Sequence, residues 1–188
     1  MPRPARSQDQ IKDMRQRLAD TALEIYKSEG YEAVSFRRLA ASLDISHTLP
    51  YSYFENRDEL FAAVRLDCYQ RFLMAIRGGD PVEQGPVARL YALARVILNY
   101  AQKNPDEYRL MFAMHQPPLQ RYPELLAIRQ AAFDYLVAIV QQGVDAGLIK
   151  GEARTVMHMT WAAAHGLMTL HAAGQLVHGH TMDELVEP

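Results

Sequence analysis

The sequence is poor in cysteine: Cys68 is the single one among 188 residues. One thiol can form neither an intrachain disulfide nor a cysteine-ligated zinc cluster, and it fits a reducing compartment. No apolar run approaches the roughly 18 residues that a membrane-spanning helix needs. Polar residues follow the basic N-terminal stretch, where a signal peptide would have its apolar segment. We therefore expect a cytoplasmic globular protein.

An excess of charge of one sign is also missing. The chain has 20 Lys and Arg against 22 Asp and Glu, which gives a formal net charge of −2. Many nucleic-acid-binding domains are basic overall, so bulk charge offers no argument for that function. The sequence also lacks a Gly-x-Ser-x-Gly motif, a phosphate-binding loop and a dinucleotide fingerprint. We expect neither an enzyme nor a cofactor.

Helical periodicity is present along most of the chain. In the first segment the apolar residues are three or four positions apart, which is the spacing of one helix face. No segment alternates apolar and polar residues as a half-buried strand does. We therefore predict an all-α protein of about eight to nine helices. The predicted segments are 8–29, one starting after Ser35, 46–53, 56–78, 85–104, one starting at Pro105, 123–147 and 152–177.

Residues 35–54 carry the clearest functional signal. Two short predicted helices, joined by a turn at Asp44-Ile45-Ser46, are typical of a helix-turn-helix, whose second helix enters the major groove of DNA. Three residues that can form hydrogen bonds stand at the start of that second helix: Ser46, His47 and Thr48. Three arginines lie near helix starts, where a DNA backbone would pass: Arg37, Arg38 and Arg57. The alternative is a helical small-molecule binding or sensing protein without specific DNA binding, in which the motif is only scaffold.

The sequence resembles the TetR-type transcriptional regulators. The resemblance rests on Ser35-Phe36-Arg37-Arg38-Leu39-Ala40, on Tyr51-Ser52-Tyr53-Phe54-Glu55-Asn56-Arg57, and on a later stretch from Trp161 to Leu167. It implies a homodimer that binds a palindromic operator, usually to repress transcription, and a C-terminal pocket whose small-molecule ligand changes the spacing of the two DNA-binding heads. Because the second half offers few acids to attract a cation, we expect a small hydrophobic ligand. By position, the resemblance places DNA contacts at Ser35, Ser46, Thr48, Tyr51, Tyr53 and Arg57, with Arg37 and Arg38 close by.

Two residues depart from the family pattern. Asp44 stands where the turn usually has glycine, and aspartate tolerates the left-handed conformation better than most residues. Pro50 stands where leucine is common, and proline removes a backbone hydrogen-bond donor from the recognition helix. We expect the turn to survive and the recognition helix to be slightly distorted.

The strongest break in the chain is Gly78-Gly79-Asp80-Pro81. We therefore expect a DNA-binding domain at 1–56, a connecting helix at 57–79, and a helical ligand-binding and dimerisation domain at 80–188.

Aromatic, methionine and histidine side chains of the second half are candidates for an apolar ligand pocket, although each also fits a plain core. The candidates are Tyr91, Tyr108, Met111, Phe112, His115, Phe133, Trp161, His165 and Met168. Small residues in the last long helix, together with Leu170, are candidates for a dimer interface, the alternative being close packing within one chain. These candidates are Ala162, Ala163, Gly166, Leu170, Ala173 and Gly174.

Seven histidines raise the question of a metal site. Zinc and similar ions need three or four converging ligands, and no metal-binding spacing of histidine or cysteine is present. We expect no metal, and we interpret His165 as a hydrogen-bonded histidine beside the pocket or the dimer interface.

Overall fold

The structure is a computed structural model that describes residues 7–112 and 116–186. Over these residues the backbone forms eight α-helices and three short 3₁₀ turns, and no strand. The all-α expectation is confirmed. The α-helices are α1 (Gln8–Glu29), α2 (Phe36–Ser42), α3 (Arg57–Gly78), α4 (Pro86–Lys103), α5 (Pro105–Met111), α6 (Pro123–Asp145), α7 (Ala153–Ala172) and α8 (Met182–Val186). The 3₁₀ turns are Tyr31–Ala33, Pro50–Ser52 and Leu119–Arg121.

Side-chain caps determine where several helices begin. The Ser35 hydroxyl accepts a hydrogen bond from the Arg38 amide at 3.2 Å, which caps α2. The Asn56 amide oxygen accepts from the Glu59 amide at 3.0 Å, at the start of α3. Short polar side chains satisfy the unpaired amides of a first helical turn in this way. Both helices begin within one residue of the starts that the sequence predicts.

The chain divides into two compact units. The first unit comprises the residues up to Cys68 together with 109–126. Its core contains fully buried apolar side chains from α1, α2 and α3 and from the loops before α2 and α3. These include Leu18, Ala22, Val34, Leu39, Phe54, Leu60 and Phe61. The guanidinium of Arg65, which is 2% exposed, donates to the Leu110 carbonyl at 3.1 Å and so ties α5 to α3 within this unit.

The second unit comprises residues 69–108 and those from 127 onward. Its core is formed by α4, α6 and α7 and includes Leu93, Ile97, Leu136, Ile139, Val140, Met157 and Met168. A buried carboxylate, that of Asp80, lies in the connection between α3 and α4. It accepts hydrogen bonds from Arg89 on α4 and from Tyr135 on α6.

The end of the chain differs from the expectation. Helix α7 ends at Ala172 rather than near residue 177, because Gly174 adopts a left-handed conformation with φ of 65°. The short helix α8 then forms beyond the last predicted segment. The Thr181 hydroxyl accepts from the Glu184 amide, and the Glu184 carboxylate accepts from the Thr181 amide. This reciprocal pair is a capping box, so the spacing of threonine and glutamate favours the helix.

Candidate nucleic-acid interface

The turn after α2 has the geometry that the sequence predicts. Asp44 is the residue with a left-handed backbone, with φ of 51°. The chain then reverses, and the Ile45 amide donates to the Ala40 carbonyl at 3.0 Å. Aspartate therefore occupies the position that usually needs glycine, and the turn is kept.

The recognition segment after this turn is not an α-helix, which corrects the predicted helix from Ser46 to Tyr53. Its 3₁₀ turn spans Pro50–Ser52. The Ser46 carbonyl accepts from the Leu49 amide three residues on, at 2.9 Å. In an α-helix the amide of residue 50 would donate to the Ser46 carbonyl, but proline has no N–H to donate. The effect of Pro50 is thus larger than the slight distortion that we expected.

The recognition segment nevertheless has one polar face and one apolar face. Ser46, His47 and Thr48 are exposed, and the hydroxyls of Ser46 and Thr48 are 2.9 Å apart. Tyr51 is 64% exposed, and its ring meets the Phe36 ring edge-on at 4.7 Å. On the opposite face, the buried residues are Pro50, Tyr53 and Phe54. Of the two tyrosines in the motif, the structure therefore presents Tyr51 at the surface and buries Tyr53.

Arg15 on α1 holds the end of the recognition segment, a role that the sequence did not reveal. One of its nitrogens donates to the Tyr53 carbonyl, and the other pairs with the Glu59 carboxylate at 3.0 Å. Its guanidinium lies 4.3 Å from the centre of the Phe54 ring. The second oxygen of Glu59 accepts from the Glu55 amide at 2.7 Å. Arg15 therefore links α1, the end of the recognition segment and α3.

The three arginines of the motif have different environments. Arg37 is exposed. Arg38 is exposed and pairs with Glu29, at the end of α1, at 2.7 Å. Arg57 is 33% exposed, and its guanidinium lies 4.0 Å above the Tyr31 ring. It also donates to the Tyr31 carbonyl and pairs with Glu32 at 3.3 Å.

The second unit brings together three of the pocket candidates. The Tyr108 hydroxyl lies 2.9 Å from Nδ1 of His165, and the Trp161 ring is nearly parallel to the His165 ring, with centres 6.4 Å apart. Burial raises the pKa of Tyr108 and lowers that of His165 below its ordinary value of 6.5. Both side chains are therefore neutral near pH 7.

The other pocket candidates are placed differently. Met168 is buried in the second unit, whereas Tyr91 is 46% exposed on α4. The Phe133 ring contacts that of His158 at 4.4 Å. Met111 and Phe112 belong to the first unit. His115 lies outside the described residues.

A buried carboxylate close to this aromatic cluster was not expected from the sequence. Glu107 is 6% exposed and accepts from the Tyr100 hydroxyl at 3.0 Å. It also pairs with Arg71 at 3.1 Å. The Phe72 ring lies 5.2 Å from Tyr100 and 6.4 Å from Trp161. Arg71 therefore offsets the charge of the buried Glu107.

Helix α7 leaves an uncovered stripe of apolar and small residues. Met159 is 70% exposed and Leu170 is 47% exposed. The other members of the stripe are Ala162, Ala163, Gly166 and Ala173, which are exposed or partly exposed. In the described part of the chain, no heavy atom lies within 4 Å of where a Cβ on Gly166 would be, apart from the glycine's immediate surroundings in the helix. Packing within one described chain therefore does not require glycine there. Gly174 is exposed just beyond the end of α7.

The described residues form neither a metal site nor a membrane-spanning helix. Within 7–112 and 116–186, no three His, Cys, Asp or Glu side chains lie close enough to hold a metal ion. None of the helices described there is long and apolar enough to cross a bilayer.

The fold and the interface together define a helix-turn-helix regulator with a second helical unit. Residues 18–64 match the family model of the bacterial regulatory proteins of the tetR family. Residues 90–188, more than half of the chain, match the model of the tetracyclin repressor-like C-terminal domain. The chain therefore belongs to the TetR family of DNA-binding transcriptional regulators.

Two relatives are similar in sequence to this protein over about half of its length. The transcriptional repressor KstR of Rhodococcus jostii is 28% identical over 94 residues, which are 50% of this chain and 43% of that protein. The nucleoid occlusion factor SlmA of Haemophilus influenzae is 26% identical over 102 residues, 54% of this chain and 47% of SlmA. The chain thus spans about half the length of these relatives. A solved structure of a protein of unknown function from Rhodococcus sp. RHA1 has a TM-score of 0.80 and 27% identity, and the match covers 99% of this chain and 93% of that one.

Proposed function

We propose that this regulator is a repressor that binds a palindromic operator as a homodimer and is released from it by a small hydrophobic ligand. In this proposal residues 1–56 bind DNA, 57–79 form the connecting helix, and 80–188 bind the ligand and dimerise. The observation that carries the DNA-binding part is the two-faced recognition segment. It exposes Ser46, His47 and Thr48 while its apolar residues are buried.

Contacts to the DNA bases and contacts to the DNA phosphates have different roles. Base edges carry the sequence information, and phosphates set register and much of the affinity. We assign base contacts to Ser46, His47 and Thr48, which stand at the start of the recognition segment. We assign phosphate contacts to Arg37, Arg38, Tyr51 and Arg57. Ser35 is exposed at the start of α2, which it caps, so we keep it among the phosphate contacts, whereas the buried Tyr53 supports the interface from beneath.

The experiment is a selection of bound duplexes from a random pool, followed by titration of the recovered operator and an unrelated duplex. A palindrome should be recovered. Thr48→Ala should weaken binding to the operator more than binding to the unrelated duplex, because it removes a base-reading hydroxyl. Thr21→Ala is the matched control, since the Thr21 hydroxyl bonds to the Arg17 carbonyl of its own helix.

Two outcomes would contradict this proposal. If Thr48→Ala lowers affinity for both duplexes equally, Thr48 positions the protein and does not read bases. If no duplex binds at low salt, the helix-turn-helix is scaffold, and the sensing-protein alternative takes its place.

The exposed stripe on α7 supports the homodimer. Two copies can bury it against each other, and a symmetric interface of this kind uses the same patch twice. Because Ala162, Ala163 and Gly166 are small, the helices of the two copies can approach closely. In a monomer, Met159 and Leu170 would remain exposed to water.

The cluster of Tyr108, Trp161 and His165 supports a neutral, weakly polar ligand. Its rings supply apolar surface, and its two polar groups are uncharged near pH 7. Trp161 is the single tryptophan of the chain, so its fluorescence reports on this site directly. Neutral aromatic compounds should change the Trp161 emission and lower operator affinity in the same concentration range. If they do neither, the hydrophobic-ligand assignment is wrong.

A further inference from the structure

Two of the arginines assigned to phosphate contacts are already paired with carboxylates. Arg38 pairs with Glu29 at 2.7 Å, and Arg57 pairs with Glu32 at 3.3 Å. Both acids belong to one short stretch: Glu29 is the last residue of α1, and Glu32 lies in the 3₁₀ turn that follows. Both pairs lie in the first unit and are open to solvent, with Glu29 45% and Glu32 88% exposed.

We propose that Glu29 and Glu32 compete with DNA phosphates for Arg38 and Arg57 and thereby lower the affinity of the protein for every duplex. The inference rests on the DNA-binding function proposed above. It adds an autoinhibitory contact that is part of the DNA-binding unit itself.

The competition follows from the chemistry of the guanidinium group. Its planar set of donors binds a carboxylate or a phosphate in the same way. An arginine that meets a phosphate must therefore leave its carboxylate, or the carboxylate must stay close to the phosphate and repel it. In either case the paired arginine contributes less to binding than an arginine that water alone surrounds.

The two arginines keep their positions when the carboxylates are neutralised. Arg57 remains stacked on the Tyr31 ring, which itself stacks on Phe61 at 4.4 Å. Arg38 lies in the first turn of α2, which Ser35 caps. Glutamine in place of either glutamate therefore removes the competing charge and leaves the guanidinium at the interface.

The test compares Glu29→Gln, Glu32→Gln and the double variant with the wild type. Each single change should tighten binding about 1.5- to 5-fold, the range that corresponds to one exposed ion pair. The gain should be the same for the operator and for an unrelated duplex, since phosphates carry no sequence information. The slope of the logarithm of affinity against the logarithm of salt concentration should become steeper by up to about one for each arginine released.

Glu24→Gln is the matched control. Glu24 lies on the same helix as Glu29, is 72% exposed and pairs with Lys27 at 3.2 Å. The Glu24→Gln substitution changes the net charge by the same amount as Glu29→Gln or Glu32→Gln, but it releases neither Arg38 nor Arg57. Thermal unfolding of all variants checks that the fold is kept.

Three results would overturn the inference. The first is an affinity for Glu29→Gln and Glu32→Gln that rises no more than for Glu24→Gln. The second is weaker binding of these two variants, which would mean that the acids hold the arginines in place for DNA. The third is a wild type that binds no duplex, which would also refute the proposed function. In the first two cases the wild type still binds, so the proposed function would stand.

Discussion

Replacing Asp80 by alanine should destabilise the second unit strongly, although the residue lies in a loop. Its carboxylate has no exposed surface, and its partner Arg89 is only 12% exposed. The two oxygens accept from Arg89 at 2.9 and 2.6 Å and from the Tyr135 hydroxyl at 2.6 Å. Arg89 also donates to Gln142 on α6. The cluster thereby joins the α3–α4 connection to α4 and α6.

Burial sets the magnitude of the effect. Removing one partner of a fully buried ion pair costs about 3–5 kcal/mol, because the other charge stays buried without compensation. Arg89 retains some contact with water, so we expect the lower end, about 3 kcal/mol. For a chain of this size that corresponds to a fall in Tm of about 6–12 °C.

A second ion pair of the same unit provides the control. Asp134 and Arg154 are also 2.6 Å apart, but both side chains are 53% exposed. An exposed pair contributes about 0–1 kcal/mol, so Asp134→Ala should change the free energy of unfolding by less than about 1 kcal/mol. Urea unfolding of both variants measures the difference. Equal losses would refute the argument that burial, rather than distance, determines the contribution.

Acid should reduce the contribution of Asp80. Hydrogen bonding to Arg89 holds the pKa of Asp80 below its ordinary value of 3.8. A carboxylate with a lowered pKa in the folded state stabilises the protein fully above its unfolded-state pKa. That stabilisation is lost as the pH falls through the folded-state value. The difference between the wild type and Asp80→Asn should therefore be constant near neutral pH and shrink below about pH 4.

Three further variants test the interface, the α7 stripe and the aromatic cluster. In a binding titration, Arg57→Ala should weaken binding to all duplexes alike and reduce the slope of log affinity against log salt concentration by about one. Lys150→Ala, which removes one positive charge from the second unit, is the control and should have little effect. Gly166→Leu should leave a folded chain that no longer dimerises in sedimentation, because the added side chain projects from the exposed stripe. Since burial lowers the pKa of His165, the free energy of unfolding should fall as the pH drops below about 6.5, and His165→Gln should reduce that dependence.

Each of these expectations has a result that would contradict it. Unchanged binding of Arg57→Ala would remove Arg57 from the interface. A dimeric Gly166→Leu variant would remove the stripe from the dimer interface. Gly78→Leu is its control, since no heavy atom of the described chain lies within 4 Å of that Cβ position either. Identical pH dependence of the wild type and His165→Gln would mean that His165 has the same pKa in the folded and unfolded states.

Local signals predicted most helix boundaries. Helix α1 spans Gln8–Glu29, as its apolar spacing indicates. The caps of α2 and α3 are Ser35 and Asn56, which lie at the predicted starts of these helices. Such signals succeed because a cap depends on an amide only two or three residues away. The Thr181–Glu184 capping box is equally local and could have been recognised in the sequence, although we predicted no helix after residue 177.

The recognition segment shows where local reasoning was incomplete. Proline at position 50 signals a missing hydrogen bond, but the segment is too short for the remaining bonds to keep it α-helical. Tertiary packing also decided which tyrosine of the motif faces solvent. The structure presents Tyr51 and buries Tyr53.

The sequence by itself determined the helical class, most of the caps, the left-handed turn at Asp44 and the family of the chain. Only the tertiary structure revealed that Arg15 reaches Tyr53 and Glu59, that Glu29 and Glu32 hold two arginines of the interface, and that Asp80 is buried. The physical reason is distance along the chain. A cap or a turn is decided by residues within one helical turn, whereas these pairs join segments 9 to 44 residues apart. Their partners depend on how whole helices pack, and no local pattern encodes that packing.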